Sequence, residues 1–324
     1  MMRILVTGAG GFIGRALVSN LSKAGHFVLA ADNNIRGNLN TLDHVKNIEP
    51  CLCDVTDAAS LDHLVKGVDA VYHLAYINGT KYFYSIPDKI LEIGIIGTHN
   101  VLKSVLKHKV KNFFLASSSE AYQLAPLIPT PENVPLVVPD VLNPRYSYGG
   151  GKIASELLTV NYLRNAKIHW VIFRPHNVYG PQMGFEHVIP ELTRKINAVK
   201  EDKSPEISIQ GQGEETRSFI FIDDAIDAIL KCTLSSKSSD GIYHIGTMEE
   251  VKINTLVQSI AEILGVKVNI KSSNLALGST PRRCPDNRKI VDLGFVQKNL
   301  LRDGLKTTVS WYQEYYQTHK KEIL

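Results

Sequence analysis

The chain has 324 residues, of which 44% are hydrophobic and 21% charged, so it is long enough to bury a large core. Its 36 basic and 32 acidic side chains are spread along the sequence and leave a formal net charge of +4. The densest basic stretch, Lys107 to Lys111, closes a predicted helix, where cations complement the helix dipole, so the charge pattern argues against nucleic acid as a partner.

The first half of the sequence alternates between strand-like and helix-like segments. Short apolar runs rich in β-branched and aromatic residues predict strands at Arg3–Thr7, His26–Ala31, Asn47–Cys53, Asp69–Leu74, Asn112–Ser117 and Ile168–Arg174. Helical apolar spacing between them predicts helices that include Phe12–Ala24, Ile90–Leu106 and Ile153–Leu163. Strands that are apolar on both faces and alternate with helices are typical of a doubly wound α/β fold with a parallel sheet.

The first predicted strand leads directly into a glycine-rich turn, Gly8-Ala9-Gly10-Gly11-Phe12-Ile13-Gly14. Gly8 permits a tight turn, Gly11 lets the backbone approach a pyrophosphate, and Gly14 allows close packing of the helix on the strand. The N-terminus of the helix adds backbone N–H donors and the positive end of the helix dipole. In this strand–turn–helix context the motif predicts a Rossmann-type, dinucleotide-binding fold.

Two acidic residues follow the second and third predicted strands. Asp32 is placed to accept hydrogen bonds from the adenosine ribose hydroxyls of a dinucleotide. Because its charge would repel a 2′-phosphate, NAD is favoured over NADP, although the nearby Arg36 keeps NADP open as a second choice. Asp54 is expected either to meet the adenine edge or to cap the helix predicted at Ala58–Val65.

A tyrosine and a lysine lie four residues apart in Tyr148-Gly149-Gly150-Gly151-Lys152, which places both on one face of a helix. A tyrosine has an ordinary pKa of about 10, so it acts as a base near neutrality only when a cation stabilises its phenolate. Lys152 is that cation. The serine-rich loop 117–122, directly after the fifth predicted strand, offers a hydroxyl that can hydrogen-bond the substrate oxygen. These residues predict a hydride-transfer centre.

The pattern changes after Pro175, where loops marked by glycine and proline separate shorter helices predicted at Val188–Val199 and Thr255–Leu264. We expect residues 1–175 to form the NAD-binding Rossmann domain. Residues 176–324 should form mainly a smaller C-terminal lobe that binds the substrate. The strand-like segment Gly241–Ile245 leaves open whether part of this region returns to the main sheet.

Together these motifs resemble the extended short-chain dehydrogenase/reductase family, the NAD-dependent epimerase/dehydratases that act on nucleotide sugars. The resemblance spans nearly the whole chain. It is carried by GAGGFIG at 8–14, Asp32-Asn33, Asp54-Val55, His73-Leu74-Ala75, SSSEAY at 117–122, YGGGK at 148–152 and RPHNVYGP at 174–181. In the second lobe, RSFIFIDD at 217–224 and PRRCPD at 281–286 look like the family's substrate-lobe motifs.

By position, the resemblance implies a set of site residues. The cofactor NAD would be bound by Gly8, Gly11, Phe12, Ile13, Gly14, Asp32, Asn33, Asp54, Val55, Leu74, Ala75, Ser117, Tyr148, Lys152 and Pro175. Ser118 would be the active-site hydroxyl that acts with Tyr148 and Lys152. Asn177 would contact the sugar or its phosphate, and Arg217 and Arg283 would clamp the diphosphate of a nucleotide-sugar substrate.

Two departures from the family pattern affect these expectations. The three glycines between Tyr148 and Lys152 each cost helix propensity, roughly 1 kcal/mol relative to alanine, so packing or ligand must hold the first turn. Gly94 stands where relatives often carry an asparagine, which puts in doubt any proton relay through that side chain.

The outcome of the reaction depends on the steps after oxidation of the sugar at C4. Glu120 occupies a position where 4,6-dehydratases and decarboxylases of the family carry a glutamate. Against dehydration, Ser119 stands where dTDP-glucose dehydratases have an aspartate. Against decarboxylation, residues 78–84 do not resemble the loop of those enzymes. We expect a 4-epimerase that works through a transient 4-keto sugar, with a 4,6-dehydratase using catalytic Glu120 as the alternative. A decarboxylase, a simple dehydrogenase or a non-catalytic NAD(H) sensor is less favoured.

The remaining expectations concern the setting of the protein. The four cysteines have no paired CxxC spacing, which indicates a reducing compartment, and the apolar start at Ile4–Val6 is too short for a signal or membrane segment. We therefore expect a cytoplasmic protein without membrane contact. No metal is expected, because His73, His176 and His187 lack ligand spacing. The resemblance also implies a homodimer paired through Ile90–Leu106 and Ile153–Leu163.

Overall fold

The computed structural model describes residues 1–200, 202, 204–274 and 278–318. Its strands are β1 Arg3–Thr7, β2 Phe27–Asp32, β3 Ile48–Leu52, β4 Ala70–His73, β5 Asn112–Ala116, β6 His169–Pro175, β7 Val178–Tyr179, β8 Glu206–Gln210, β9 Thr216–Ser218, β10 Ile220–Phe221, β11 Gly241–Ile245, β12 Glu250–Lys252, β13 Asn269–Ser273 and β14 Arg282–Arg283. Its α-helices are α1 Phe12–Lys23, α2 Ala58–Val65, α3 Thr80–Ser85, α4 Pro87–Leu91, α5 Thr98–Lys107, α6 Ser147–Leu163, α7 Val188–Val199, α8 Ile222–Leu234, α9 Ile253–Leu264, α10 Arg288–Asp292 and α11 Leu301–Thr318.

Within the described residues, seven strands form one parallel sheet in the order β11-β6-β5-β4-β1-β2-β3. The sheet is buried on both faces. On β1, Ile4 and Val6 point into one apolar cluster and Leu5 into another. Each such aliphatic side chain stabilises the fold by about 1.5–3 kcal/mol when fully buried. This architecture confirms the predicted Rossmann-type, doubly wound α/β fold.

The two faces of the sheet are covered by different helices. Apolar side chains of α2, α5 and α6 belong to the cluster around Leu5, whereas those of α1 and α8 belong to the cluster around Ile4 and Val6. Parallel strands joined through helices leave all their carboxyl ends at one edge of the sheet. The loops at that edge contain the glycine turn, the serine-rich loop and the start of α6.

The residues after Pro175 contribute both to a smaller lobe and to the main sheet. In the lobe, α7, α9 and α11 pack on one another, β8 pairs with β13, and β9 lies between β12 and β14. The segment Gly241–Ile245 forms β11, which pairs in parallel with β6. The segment therefore returns to the main sheet. That residues 1–175 bind NAD and residues 176–324 mainly bind the substrate stays a prediction.

Two predicted helices differ from the observed ones. The segment Ile90–Leu106 is not one helix, because a π-helical turn at Glu92–Gly97 separates α4 from α5. A π turn is a single-turn bulge inside a helical segment, and apolar spacing over so short a stretch does not reveal it. The helix predicted from Ile153 begins at Ser147 instead and includes all three glycines. Tertiary packing here overrides their low helix propensity.

Candidate active site

A cleft of about 660 Å³ opens at the carboxyl edge of the sheet. Every residue predicted from the sequence to bind cofactor or substrate, or to act in catalysis, lines this cleft except Asp54 and Arg217. The volume suits a small-molecule site. The structure therefore brings together residues that lie in segments from 8 to 283 of the chain.

The glycine turn between β1 and α1 forms a cradle made of backbone. Gly8 has a positive φ of 74°, and a Cβ there would lie 2.7 Å from the amide nitrogen of Ala75. A Cβ on Gly14 would lie 2.1 Å from the carbonyl oxygen of Gly8. No side chain caps the start of α1 at Gly11, so the N–H groups of its first turn face the cleft without a capping acceptor. This arrangement fits the pyrophosphate of a dinucleotide.

Asp32 connects the end of β2 to this cradle. Its Oδ2 accepts a hydrogen bond from the backbone N–H of Gly10 at 3.0 Å, and its Oδ1 accepts one from Asn34 at 2.8 Å. A carboxylate held in this way lies beside the glycine turn, where the ribose of a bound dinucleotide would reach it.

Asp54 does not line the cleft, but it contacts Asn33, which does. It accepts hydrogen bonds from the Asn33 side chain at 2.9 Å and from both the N–H and the hydroxyl of Thr56. The alternative prediction that Asp54 caps α2 is wrong, because Asp57 accepts from the N–H groups of Ala59 and Ser60. Asp54 is placed to orient Asn33, and contact with adenine stays a prediction.

Arg36, which kept NADP open as a cofactor, is occupied by other groups. Its guanidinium forms an ion pair with Glu186 at 3.1 Å and lies over the ring of Tyr82, 4.7 Å from the centroid. Two other residues of the cleft lining are also joined, because the Arg15 guanidinium donates hydrogen bonds to the side chain and the backbone carbonyl of Gln182. With its charge matched by Glu186, Arg36 is less able to bind a 2′-phosphate.

Tyr148 and Lys152 lie on the first turns of α6. Helix propensity alone does not favour a helix there, because three glycines separate the two residues. A Cβ on Gly149 would lie 2.6 Å from the Glu120 carbonyl oxygen and 2.5 Å from Nε2 of Gln123. The serine-rich loop therefore packs directly on the glycine backbone. Packing of this kind holds the start of the helix despite its glycines.

The Lys152 side chain is buried, and its ammonium donates a hydrogen bond to the carbonyl oxygen of Ala116 at 2.7 Å. Burial lowers the pKa of Lys152 to about 7, partly opposed by the charge of Glu156. Burial also raises the pKa of Tyr148, whereas a hydrogen bond with Ser118 lowers it. Burial thus opposes ionisation of the Tyr148 hydroxyl, and the hydrogen bond with Ser118 favours it.

Glu156, which the sequence reasoning missed, organises the rear of the site. Its carboxylate accepts hydrogen bonds from Nε of Arg174 at 2.8 Å and from Nη2 at 2.5 Å, and a short one from the hydroxyl of Ser117. Such a bidentate, buried pair is directional and locks α6 against β6. A sequence signal existed, because Glu156 stands four residues after Lys152 on the same helix face.

Glu120 and Arg283 form an ion pair inside the cleft, and Arg283 also donates to the hydroxyl of Thr280. Burial raises the pKa of Glu120, but the charges of Arg283, Arg145 and Arg217 together hold it below its ordinary value. Glu120 is therefore a carboxylate. Arg145 was not singled out from the sequence, since it lies on a short 3₁₀ turn that carries no motif.

The predicted substrate residues occupy different surroundings. Arg283 contacts Glu120 and lines the same cleft as Ser118 and Tyr148. Arg217 is outside the cleft lining and donates to the carbonyl of Thr216 at 2.8 Å. The Asn177 amide donates to the carbonyl of Ser218 at 2.8 Å and lines the cleft. Contact of these three residues with a substrate stays a prediction.

Aromatic side chains enclose Tyr148. The segment of residues 78–84 contains most of α3, Thr80–Ser85, and its Phe83 stacks on the Tyr148 ring with centroids 5.1 Å apart. Tyr76 meets the same ring edge-on at 5.1 Å. Neither aromatic residue was identified from the sequence. They exclude water from one side of the hydroxyl that we predict to be the base.

Sites of two other kinds are absent from the described residues. No helix in this part of the chain is both long and apolar enough to span a membrane. Among the same residues, no three His, Cys, Asp or Glu side chains come close enough to hold a metal ion. His73 is instead buried between the hydroxyls of Thr7 and Thr98, at 2.8 and 3.1 Å.

Residues 4–246 match the model of the NAD dependent epimerase/dehydratase family. The chain belongs to this family. NAD is accordingly its cofactor, as the glycine cradle and Asp32 predicted. The matched region covers the main sheet, apart from the first residue of β1, and all of α6.

Relatives that are similar over nearly their whole length catalyse different reactions. A UDP-N-acetyl-alpha-D-glucosaminuronate decarboxylase of Bacillus cytotoxicus is 30% identical over 96% of this chain and 98% of its own. A UDP-glucuronic acid 4-epimerase variant of Bacillus cereus, solved with NAD and a fluorinated UDP-sugar, has TM-score 0.87 and 27% identity, covering 97% of this chain and 100% of its own. A dTDP-glucose 4,6-dehydratase of Streptomyces venezuelae, also solved with NAD, has TM-score 0.87 and 25% identity, covering 98% and 99%.

Proposed function

We propose that this protein is an NAD-dependent nucleotide-sugar 4-epimerase that works through a transient 4-keto sugar. NAD bound in the glycine cradle supplies the hydride acceptor and later the hydride donor. Tyr148 takes the proton of the C4 hydroxyl as the hydride leaves C4, while Ser118 hydrogen-bonds the same oxygen. Return of the hydride to the opposite face of the ketone, with the proton returned by Tyr148, gives the 4-epimer.

The observation that carries this proposal is the state of Glu120. Dehydration needs a group that removes the C5 proton and an acid that protonates the departing C6 hydroxyl. Arginine charges around Glu120 hold its pKa below the ordinary value, so at neutral pH it has no proton to donate. As a carboxylate, Glu120 could act as the base at C5, so the acid would have to be a second residue. Ser119 stands where dTDP-glucose dehydratases carry an aspartate, and this supports 4-epimerisation over elimination.

A second candidate reaction is favoured by the same ion pair. Arg283 is a fixed cation beside the hydroxyls of Ser118 and Tyr148, and guanidinium groups bind carboxylates well. A sugar with a C5 carboxylate could exchange for Glu120 on Arg283, and loss of that carboxylate from the 4-keto sugar would yield a pentose. The Bacillus cytotoxicus relative is a decarboxylase of this kind of sugar. The 4,6-dehydratase, which the sequence favoured as the alternative, becomes the third candidate.

The products of a substrate panel distinguish these reactions. Purified protein would be incubated with UDP-, GDP-, dTDP- and CDP-sugars, including UDP-glucuronic acid, and the products separated and weighed by mass spectrometry. We expect a product of unchanged mass that elutes apart from the substrate. Loss of the mass of water would replace the proposal with a dehydratase, and loss of carbon dioxide with a decarboxylase.

We also propose that the protein is a homodimer. Leu91, Ile96 and Leu157 are exposed by 36%, 46% and 60% on the helices that the sequence assigned to subunit pairing. Burying such side chains against a second copy would remove apolar surface from water. Sedimentation analysis should give twice the chain mass, and Leu157→Lys should give the monomer. A monomer for the unaltered protein would refute the pairing.

A further inference from the structure

Tyr76 occupies a space that two glycines leave for it. It follows β4, and its hydroxyl is buried without a hydrogen-bond partner among the described residues. A Cβ on Gly94, in the π-helical turn, would lie 2.1 Å from this hydroxyl oxygen. A Cβ on Gly151, in α6, would lie 2.1 Å from the same atom. Any other residue at either position would displace the tyrosine.

The ring of Tyr76 contacts the cation that the proposed reaction needs. Nζ of Lys152 lies 3.8 Å from the ring centroid of Tyr76 and 5.7 Å from that of Tyr148. A cation over the face of an aromatic ring is attracted by the ring's negative face, more strongly when both are shielded from water. The other close partner of the ammonium is the neutral carbonyl of Ala116.

We propose that Tyr76 is a positioning residue for Lys152, whose ammonium group it holds in the charged form between its ring face and the Ala116 carbonyl, beside Tyr148. This inference rests on the proposed function, because a charged Lys152 matters when Tyr148 acts as the base. The hydroxyl of Tyr76 has no partner among the described residues, so the ring carries the role.

Among the charged and titratable groups around Lys152, Glu156 also favours the ammonium form through its charge. Tyr148 and Glu156 face it from α6, and His73 faces it from β4. The Glu156 carboxylate already accepts hydrogen bonds from Arg174 and Ser117. Burial lowers the pKa of His73 to about 3, so its ring is neutral and offers no charge. Burial also lowers the pKa of Lys152 to about 7, and the charge of Glu156 opposes this shift. The face of the Tyr76 ring would oppose it further.

The test measures the Lys152 pKa directly. The protein would be produced with ¹³C at lysine Cε, purified and titrated by NMR. The Lys152 signal is the one that disappears in Lys152→Met. In Tyr76→Leu, which keeps apolar volume but has no ring, we expect this pKa to fall by about one unit. In Tyr76→Phe, which keeps the ring, it should equal that of the unaltered protein.

Gly151 provides an independent variant that leaves Tyr76 itself intact. Gly151→Ala should push the Tyr76 ring away and lower the Lys152 pKa as Tyr76→Leu does. Adding Tyr76→Phe removes the hydroxyl that collides, and the nearest remaining ring atom would be 3.4 Å from the new Cβ. The double variant should therefore restore the pKa. Gly150→Ala is the matched control, because its Cβ would meet only Val138, at 3.4 Å.

A Lys152 pKa that is unchanged or raised in Tyr76→Leu and Gly151→Ala would overturn the proposal, as would failure of Tyr76→Phe to rescue Gly151→Ala. A purely structural tyrosine would lower the melting temperature in Tyr76→Leu without moving the Lys152 pKa. In turnover, the pH above which kcat/KM falls should move down by the same amount as the Lys152 pKa. Absence of turnover in the unaltered protein would refute the proposed function, while the NMR titration would still decide the role of Tyr76.

Discussion

The two ends of the cleft are constructed on different principles. At the dinucleotide end, one continuous stretch of backbone from Gly8 to Gly14 forms the cradle, and its closest contacts are with other backbone atoms. At the other end, which we propose binds the sugar and call the sugar end, side chains from distant segments meet. Glu120 and Arg283 are separated by 163 positions in the chain. The first end is specified by local sequence, whereas the second depends on how the whole chain folds.

The largest effect should come from removing the base at the sugar end. Tyr148→Phe keeps the ring between Tyr76 and Phe83 but cannot accept the C4 hydroxyl proton, so kcat should fall by about 10²–10⁴. The variant should still bind nucleotide sugar and should keep its NAD content when purified. The loss would then be confined to the chemical step and would leave the dinucleotide end intact. Tyr84→Phe is the control, because Tyr84 is exposed by 48%. Unchanged kcat in Tyr148→Phe would exclude the mechanism.

A complementary change attacks only the dinucleotide end. In Gly14→Ala the new Cβ would lie 2.1 Å from the Gly8 carbonyl oxygen, so the cradle must shift. Overpacking of this kind costs roughly 1–3 kcal/mol, which corresponds to about a 5- to 150-fold loss of NAD affinity by calorimetry. Gly67→Ala strains a turn with φ of 76° but has no atom within 4 Å. Gly67→Ala should lower the stability of the protein and leave its NAD affinity unchanged. If Gly67→Ala lost as much NAD affinity as Gly14→Ala, the loss in Gly14→Ala could not be assigned to the cradle.

Breaking the ion pair at the sugar end should destabilise the fold in a pH-dependent way. Arg283→Met leaves the Glu120 carboxylate without its main partner, at a cost of about 1–2 kcal/mol, since the Glu120 side chain is 23% exposed. The native pKa of Glu120 is held below its ordinary value of 4.5, so the pair stabilises the protein above that pH and the contribution is lost as pH falls through the lowered pKa.

The measurement is the melting temperature of both proteins as a function of pH. The difference between Arg283→Met and the unaltered protein should be largest near neutrality and shrink below about pH 4. Glu120→Gln added to Arg283→Met should recover part of the loss, because no unpaired charge remains. A difference of equal size at all pH values would show that the loss comes from packing alone.

The smallest expected effect concerns the choice of dinucleotide. Glu186→Gln removes the carboxylate that pairs with Arg36, so the guanidinium becomes available to a 2′-phosphate near Asp32. Ion pairs this exposed contribute about 0.2–1 kcal/mol, so the ratio of NADP to NAD affinity should rise up to about fivefold. The carboxylate of Asp32 still disfavours the phosphate. A ratio that does not rise would mean that Glu186 does not restrain Arg36.

Sequence reasoning reached the fold and the dinucleotide end because their signals are local. The bounds of β1 and α7 equal the predicted ones, and the glycine turn lies where its motif required. Residues that pack on the motif from elsewhere could not be predicted. Gly94 and Gly151 are explained only by the Tyr76 hydroxyl between them, a relation that exists in three dimensions and not in any one segment.

The same limit applies to Arg283 and to the start of α6. The resemblance placed Arg283 on a diphosphate, and its contact with Glu120 could not be seen from two segments far apart in sequence. Propensity alone argued against a helix at Gly149, whereas the serine-rich loop that packs on it makes the helix stable. Chemistry at the sugar end is therefore set by tertiary contacts that motifs do not encode.

The most direct test of the proposed 4-epimerase is the fate of the C5 hydrogen during turnover. A nucleotide sugar accepted by the enzyme would be converted in deuterated water, and the product examined by NMR and mass spectrometry. A 4-epimerase in which Glu120 remains a spectator carboxylate predicts a product of unchanged mass with no deuterium at C5. Deuterium at C5, or a product lighter by the mass of water, would contradict it and assign Glu120 a role in C5 chemistry.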